Sequence, residues 1–389
     1  MRVAILLLLL ASCDQLCPRS QSTSSSSFEA VSPLGVVTNV ASSPDRTVVV
    51  RQGTAFDVDV ETLSASGSHT TTVPLPAWSV VHTGTHGPSP GMAMSPSSTL
   101  VVGWASLHPQ ENGVQGEVAA TAVVDASGAL QRGITLLDTV YTSEPAVAFD
   151  GEEYVVAYLT ATSVRVARFT ASGELIGTSD VAPRDDSHQY THTIPLIASG
   201  AGRSWIGWPG VDGYLDLVLV EHGTTVTTTS VPMRAISLVQ LGGTMAGALL
   251  MGTETAGEWD ALPLGWDGEI GAAHRLQFKS FAQLTAMNET TFAALDESSL
   301  SSRTSVAAAV TMLSATGDIV GTSDIRNYRV ELATSSSGLV WTGRTFDSAS
   351  NTEYLQLQRR ATDGLVDTTE LDSTEWETVT TKSCTDETY

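Results

Sequence analysis

The sequence predicts an all-β protein, a β-propeller of about seven four-stranded blades, from three observations. From about residue 35 to residue 371, short runs rich in Val, Thr, Leu and Ala alternate with Gly, Ser, Asp and Asn, without any helical period. Turns that contain glycine recur at nearly constant spacing. A strand pattern typical of burial on both faces recurs at the same distance before these turns.

The first residues, "MRVAILLLLLASC", predict a signal peptide over residues 1–12. One positive charge at Arg2 precedes the apolar run 3–10, which is shorter than the ~20 residues that cross a bilayer as a helix. The ending Leu10-Ala11-Ser12-Cys13 resembles the bacterial lipobox, and this resemblance implies that Cys13 is lipidated and becomes the mature N-terminus. The alternative is an ordinary secretory signal cleaved nearby, with Cys13 incidental.

Residues 13–30 are predicted to be the lipidated cysteine followed by a flexible tether, because "PRSQSTSSSS" is polar and lacks apolar periodicity. Two further cysteines lie near the ends of the chain, Cys17 and Cys384. In an oxidising compartment they would pair as a disulfide that ties the two ends together. The alternative is that they are two unrelated cysteines in the tails.

The glycine turns divide residues 31–371, the predicted propeller, into repeats. "TASGELI" is the clearest turn, and its glycine and the related ones are Gly67, Gly128, Gly173, Gly223, Gly268, Gly317 and Gly364. From Gly128 onward the steps are 45, 50, 45, 49 and 47 residues. Tight hairpins need a positive φ that glycine adopts without steric cost, so each glycine is predicted in the hairpin between the third and fourth strands of its blade. Residues 372–389 are predicted to be a C-terminal tail.

A second motif precedes the turns. It consists of two large apolar residues, then a small residue, then usually another large residue. It occurs at 101–104, 155–158 and 205–208, and more weakly at 245–248 and 292–295. The unit around 145–181 divides into four predicted strands, 145–149, 154–159, 163–169 and 175–181. Its "DGEEYVVAY" stretch resembles the degenerate repeats of large secreted propeller proteins from bacteria. The rival architecture is a string of β-sandwiches.

The charge balance narrows the classes of partner. There are 42 acidic residues against 19 basic ones, a net charge of −23. A polyanion would be repelled by this field, so no nucleic-acid partner is expected.

A candidate metal site comes from histidines in the predicted loops at one end of the blades. These loops, between the second and third strands and between blades, vary in length, whereas the glycine turns at the other end are short and are predicted not to form a site. The candidate zinc ligands are His82, His86, His108, Asp185, His188 and His192. The preferred interpretation is that these are independent, solvated loop residues, so no cofactor is predicted, and a zinc site is the alternative.

No catalytic motif supports an enzyme assignment. The chain has no Gly-x-Ser-x-Gly elbow, no HExxH and no phosphate-binding glycine loop. The leading hypothesis is a monomeric, non-catalytic binding or scaffold protein, held on a membrane of the bacterial cell envelope by its lipid, with an envelope protein or polysaccharide as partner. The alternative is an envelope hydrolase or lyase that acts on polysaccharide through the histidine-bearing loops.

Overall fold

The computed structural model describes residues 24–26, 36–52, 58–73, 91–107, 116–140, 142–184, 194–210, 214–233, 239–255, 258–278, 281–296, 308–325, 328–335, 338–347, 349–350, 352–360, 366–375 and 381–383. Every element in these ranges is a β-strand, and the strands form seven antiparallel blades of four, with one extra strand on the first blade and one separate strand pair.

The strands follow the chain in order, and each blade is built from consecutive strands. The first strand among the described residues is β1 (Ser24–Ser26), and blade 1 contains β2 (Val36–Ser42), β3 (Arg46–Gln52), β4 (Val58–Ser64) and β5 (Gly67–Val73). Blade 2 contains β6 (Gly91–Met94), β7 (Ser98–Leu107), β8 (Gly116–Asp125) and β9 (Leu130–Leu136). Blade 3 contains β10 (Ala146–Phe149), β11 (Glu153–Leu159), β12 (Ser163–Thr170) and β13 (Leu175–Pro183).

The second half repeats this arrangement. Blade 4 contains β14 (Leu196–Gly200), β15 (Arg203–Pro209), β16 (Leu215–Glu221) and β17 (Thr224–Val231), and blade 5 contains β18 (Gln240–Gly243), β19 (Ala248–Thr255), β20 (Glu258–Leu264) and β21 (His274–Gln277). Blade 6 contains β22 (Phe281–Ala286), β23 (Thr291–Asp296), β24 (Ala308–Ser314) and β25 (Ile319–Ile325). Blade 7 contains β26 (Tyr328–Leu332), β28 (Val340–Asp347), β29 (Thr352–Arg360) and β30 (Val366–Glu375); the short strands β27 (Thr334–Ser335) and β31 (Thr381–Ser383) lie outside it.

Six of the seven predicted turn glycines are described, and all six have positive φ at the hairpin between the third and fourth strands, as predicted. Five lie between the two strands, Gly67 is the first residue of the fourth strand of blade 1, and Gly364 lies outside the described residues. At Gly173, φ is 80° and the glycine N–H donates to the Thr170 carbonyl over 2.8 Å. Gly128, Gly268 and Gly317 repeat this bond. In these four turns the glycine with positive φ ends the bend and returns the fourth strand onto the third. The turn at Gly223 differs, because His222 (φ 49°) and Gly223 (φ 75°) both have positive φ.

The recurring apolar motif is the second strand of a blade, with one correction. Residues 101–104, 155–158, 205–208 and 292–295 lie in β7, β11, β15 and β23 as predicted. The copy predicted at 245–248 is wrong, because residues 245–247 form the hairpin before β19 and the strand begins at Ala248. The buried part of this strand is Ala248 to Gly252, so the motif copy was placed too close to the N-terminus.

Each seam between neighbouring blades is filled by an apolar cluster of described residues. The seam between blades 3 and 4 is representative, with Val155, Val164 and Val166 of blade 3 packed against Ile206 and Val218 of blade 4. Consecutive residues of the second strand face opposite seams, which explains why that strand is apolar without alternation. The apolar core is therefore divided into seven clusters, one between each pair of neighbouring blades.

The ring closes between blade 7 and blade 1 without sharing a blade strand. The short β27, after the first strand of blade 7, pairs in parallel with β2 through Thr334 and Ser335. Separately, β1 pairs antiparallel with β31, with Ser24 opposite Ser383. This pair lies within the predicted tether and tail, where no apolar alternation indicates a strand.

Candidate functional site

A cavity of about 690 Å³ lies on the axis of the ring, and we refer to it as the central cavity. Its wall consists of the first strands of successive blades, including residues of β2, β6, β10, β14, β18 and β22. It reaches the end of the ring where strands 1 and 2, and strands 3 and 4, are joined, because hairpin residues such as Asp45, Met245 and Glu289 line it. We call this end the hairpin face.

The wall of the central cavity is mainly apolar. Met92, Phe149, Leu241 and Leu284 line it, together with several alanines. Most hydroxyl groups of the wall already have protein partners: Ser42 Oγ lies 2.8 Å from Thr47 Oγ1, and Ser199 Oγ lies 2.6 Å from Ser204 Oγ. A ligand in this cavity would therefore gain mostly from apolar contact, with few polar groups to orient it.

Two hairpins approach so closely at the cavity wall that only glycine fits. A Cβ on Gly243 would lie 2.6 Å from the Ser199 carbonyl oxygen, and a Cβ on Gly200 would lie 2.4 Å from that of Thr244. Both distances are far inside van der Waals contact, so these glycines set the spacing of β14 and β18. The position of the wall between blades 4 and 5 thus depends on glycine at both positions, because any larger residue would push the two strands apart.

A hydrogen-bond network holds the hairpin of blade 2 at the cavity rim. Arg46 of blade 1 donates through Nη2 to the Ser95 and Ser98 carbonyls, each over 2.7 Å. Tyr154 of blade 3 donates to the Ser98 carbonyl over 2.7 Å and accepts from the Ser95 N–H over 3.0 Å. Burial raises the pKa of Tyr154, so its phenol stays neutral and remains a donor. Three successive blades are joined through one turn, which makes this part of the rim rigid.

The hairpin face carries a surplus of exposed carboxylates. Among the described residues they are Asp45, Glu152, Glu174, Asp267, Glu269, Glu289 and Asp318. Arginines beside them are engaged in the fold: Arg203 contacts Glu221 and donates to the Trp266 carbonyl, while Arg168 contacts Glu153 and the His222 carbonyl. Asp45, Glu152 and Glu289 therefore place negative charge on three hairpins at the mouth of the central cavity, beside the buried lining cation Arg46.

The residues singled out from the sequence as sites all lie outside the described residues. This holds for Cys13, for Cys17 and Cys384, and for His82, His86, His108, Asp185, His188 and His192. The zinc set, the lipid site and the disulfide therefore remain predictions. The pairing of β1 with β31 places Ser383, the neighbour of Cys384, opposite Ser24, which follows Cys17 by seven residues.

Two features are absent from the described ranges, a metal-binding group and a membrane-spanning helix. Within them, no group of three or more His, Cys, Asp or Glu side chains is arranged to hold a metal ion. The same residues include no helix that is long and apolar enough to cross a membrane.

The prediction placed any site on the opposite end of the ring, because the hairpin turns are short. The structure describes a cavity at the hairpin end, where short turns leave the mouth uncovered. A signal was present in the sequence: the turns between the first and second strands are small and polar, as in "SSPD" at 42–45, "SPSS" at 95–98 and "SGAG" at 199–202. Their position on the ring axis follows only from the closure of the blades.

Comparison with known proteins gives distant structural similarities alone. No protein-family model matches the chain, and no curated protein matches it in sequence. The Dos1 propeller is 10% identical, with 90% of this chain and 88% of that chain covered and a TM-score of 0.49. Apo AztD from Citrobacter koseri is 11% identical, covering 87% and 86%, with a TM-score of 0.43, and the WD40 propeller domain of Doa1 is 10% identical, covering 90% and 96%, also at 0.43. The propeller architecture rests on the strand pairing of the chain itself.

Proposed function

We propose that this chain is a non-catalytic binding protein of the bacterial cell envelope, lipidated at Cys13, that receives its ligand in the central cavity from the hairpin face. The observation that carries this proposal is the open, largely apolar cavity of about 690 Å³ on the ring axis. Its volume falls within the ~300–1,000 Å³ that ligand sites usually have.

Rigidity of the rim supports binding as the role of the cavity. The first strands of the wall are paired along their length with the second strands, and Arg46 and Tyr154 fix one hairpin between three blades. A site that is already formed does not have to be ordered when the ligand arrives, and this lowers the free-energy cost of binding. Propellers host many unrelated functions, so the site and not the fold is the basis of this proposal.

Photocross-linking from inside the cavity tests the binding role. Met245 lines the cavity mouth and is 51% exposed, so benzoylphenylalanine placed there in the full chain would contact a bound ligand. The matched control carries the same probe at Val320, which is 60% exposed on the outer strand of blade 6. We expect an adduct from position 245 that position 320 does not give, and loss of that adduct when Ala148→Trp fills the wall. Equal adducts at both positions, or none at 245, would contradict the proposal.

Support for the membrane anchor comes from the sequence alone, through the apolar run 3–10 and the tetrad that ends at Cys13. The full chain should incorporate labelled palmitate and partition with membranes. The variant Cys13→Ser should lose the label and move to the soluble fraction. Palmitate incorporation that persists in this variant would show that the lipobox interpretation is wrong.

A further inference from the structure

We infer that the occupant of the central cavity is a cationic polypeptide segment, which lays its basic side chains on the hairpin face and inserts an apolar side chain into the cavity. This inference rests on the proposed function, because it identifies the class of partner for the same cavity. It depends on two independent features, the chemistry of the wall and the distribution of charge around the mouth.

The first feature is that the interior accepts an apolar side chain. Met94, Phe149 and Ile197 line the cavity and are only partly buried, so each leaves apolar surface for a ligand to cover. Methionine adapts to different apolar shapes because its side chain is unbranched and flexible. Insertion of a Leu or Phe side chain would remove apolar surface of both partners from water, which stabilises the complex.

The second feature is the charge that surrounds the entrance. Asp45 of blade 1 and Glu289 of blade 6 line the cavity itself, and Glu152 of blade 3 follows the lining residue Gly151. All three residues are exposed, and each lies on the hairpin between the first and second strands of its blade. Positive groups would be attracted to this mouth, and the net charge of −23 strengthens the long-range attraction.

The spread of the carboxylates favours a polypeptide over a small cation. The exposed acidic residues of the hairpin face belong to blades 1, 3, 5 and 6, on different sides of the axis. A small cation contacts one of these groups at a time. An extended segment advances ~3.3 Å per residue, so a few residues carry basic side chains from one hairpin to another across the mouth.

The test measures binding of short fluorescent peptides to the full chain. The main probe is a run of lysines interrupted by leucines, and the comparison probe has glutamine in place of every lysine. We expect the lysine peptide to bind and to weaken markedly when salt rises to ~0.15 M, since salt screens exposed charges. The glutamine peptide should bind about tenfold more weakly or worse.

Two triple variants separate local charge from net charge. Asp45→Asn/Glu152→Gln/Glu289→Gln neutralises the cavity mouth, while Asp324→Asn/Asp367→Asn/Glu370→Gln removes the same charge from exposed outer-strand residues of blades 6 and 7. The mouth variant should weaken the lysine peptide about tenfold, and the outer variant less than about twofold. All six residues are exposed, so both variants should keep the native circular-dichroism spectrum and unfolding midpoint.

The outcomes distinguish this inference from the proposed function. Equal weakening by both triple variants would mean general attraction to an acidic protein, and the inference would fail. Equal affinity for the lysine and glutamine peptides, abolished by Ala148→Trp, would also refute the charge argument while leaving a binding cavity in place. Failure of both peptides to bind, together with a cavity-specific adduct from position 245, would reject the cationic segment but keep the proposed function.

Discussion

The seam between blades 3 and 4 and the seam between blades 7 and 1 are built from the same fold but differ in chemistry. The first is filled by Val155, Val164, Val166, Ile206 and neighbouring apolar residues, and the ion pair on that face, Arg168 with Glu153, is at the edge with its side chains 21% and 18% exposed. The second has the apolar residues Val40, Val49, Ala333, Val340 and Leu357. It also buries an ion pair within each sheet, Arg344 Nη1 with Glu353 Oε2 at 3.2 Å and Arg51 Nη2 with Glu61 Oε2 at 3.3 Å.

Strand alternation places both ion pairs in the closing seam. On β28 and β29, Val340 and Leu357 face blade 1, so Arg344 and Glu353, at even spacing from them, face the same way. On β3, Val49 faces blade 7, and Arg51 lies two residues further along the same face. Arg359 of β29 additionally donates to Thr47 of β3 across the seam.

The comparison contrasts a seam between blades that are adjacent in the chain with the seam between the first and last blades, where an ion pair is almost fully buried. Successive blades are covalently connected and meet in a fixed order, whereas blades 7 and 1 are more than 300 residues apart in the chain at the Arg359–Thr47 contact. Apolar surfaces are not selective about their neighbour, while buried charges tolerate only a partner that satisfies them. We hypothesise that the ion pairs make the closing seam specific rather than strong, and four predictions test the contrast.

The largest expected effect is at Arg344–Glu353, whose side chains are 3% and 2% exposed. Glu353→Ala would leave the guanidinium buried without this carboxylate, so we expect a loss of about 3–5 kcal/mol in the free energy of unfolding, measured by urea denaturation. The double variant Arg344→Leu/Glu353→Leu should recover most of that loss. Glu258→Ala is the control, because its pair with Arg275 is exposed and contributes about 0–1 kcal/mol. A cost at Glu353 no larger than at Glu258 would refute the assignment of a desolvated pair.

The second prediction compares one apolar truncation in each seam. Val164 and Val49 are both 0% exposed. Val164→Ala should leave an unfilled space among apolar neighbours and cost about 2–3 kcal/mol. Val49→Ala should cost about 1–2 kcal/mol, because nearby polar side chains can shift toward the space or admit water. Thermal and urea unfolding of the pair would measure this difference, and a larger cost at Val49 would mean that the closing seam is the better packed one.

The third prediction compares two glycines with positive φ. Alanine would strain the backbone at both, but it would also press on a neighbouring blade at only one of them. Gly173 (φ 80°) and Gly202 (φ 74°) have similar backbones, but an added Cβ at Gly173 would lie 2.6 Å from Val123 of blade 2, whereas at Gly202 it would meet no atom within 4 Å. Gly202→Ala should cost about 1 kcal/mol through strain alone. Gly173→Ala should cost about 2–3 kcal/mol, because strain and overpacking add. Equal unfolding free energies for the two variants would show that the hairpin does not press on the preceding blade.

The smallest expected effect is a pH dependence from an ion pair outside the seam cores. Hydrogen bonds from Arg165 and then Ser163 lower the pKa of Asp180, whose side chain is 56% exposed. A folded-state pKa below the unfolded value of ~3.9 stabilises the protein above that pH, and the contribution disappears as pH falls through the folded-state pKa. Asp180→Asn should therefore reduce stability slightly at pH 7 and make no difference in strong acid. An equal loss at pH 7 and in acid would show that the side chain acts through packing and not through its charge.

The glycine spacing allowed much of the ring to be predicted from the sequence. The unit at 145–181 is the clearest case, since its four predicted strands match Ala146–Phe149, Glu153–Leu159, Ser163–Thr170 and Leu175–Pro183 within two residues at each end. Turn chemistry and continuous apolar strands are local signals, and both act within one blade. The second strand of blade 5 was harder to predict, because Met245, Ala246 and Gly247 are apolar or small and yet form a turn.

The sequence by itself determined the strand content, the positions of the turns and the burial of each second strand, because these follow from local φ preferences and from apolar periodicity. Only the tertiary structure decided what lies on the axis and how the ring closes. The central cavity is made by first strands from separate blades, and Arg46, Ser98 and Tyr154 meet although they are 52 and 56 residues apart in the chain. The charged closing seam likewise joins both ends of the ring. Contacts between residues so far apart leave no periodic pattern in the sequence, so the sequence does not predict them. They form only when the blades pack into the ring.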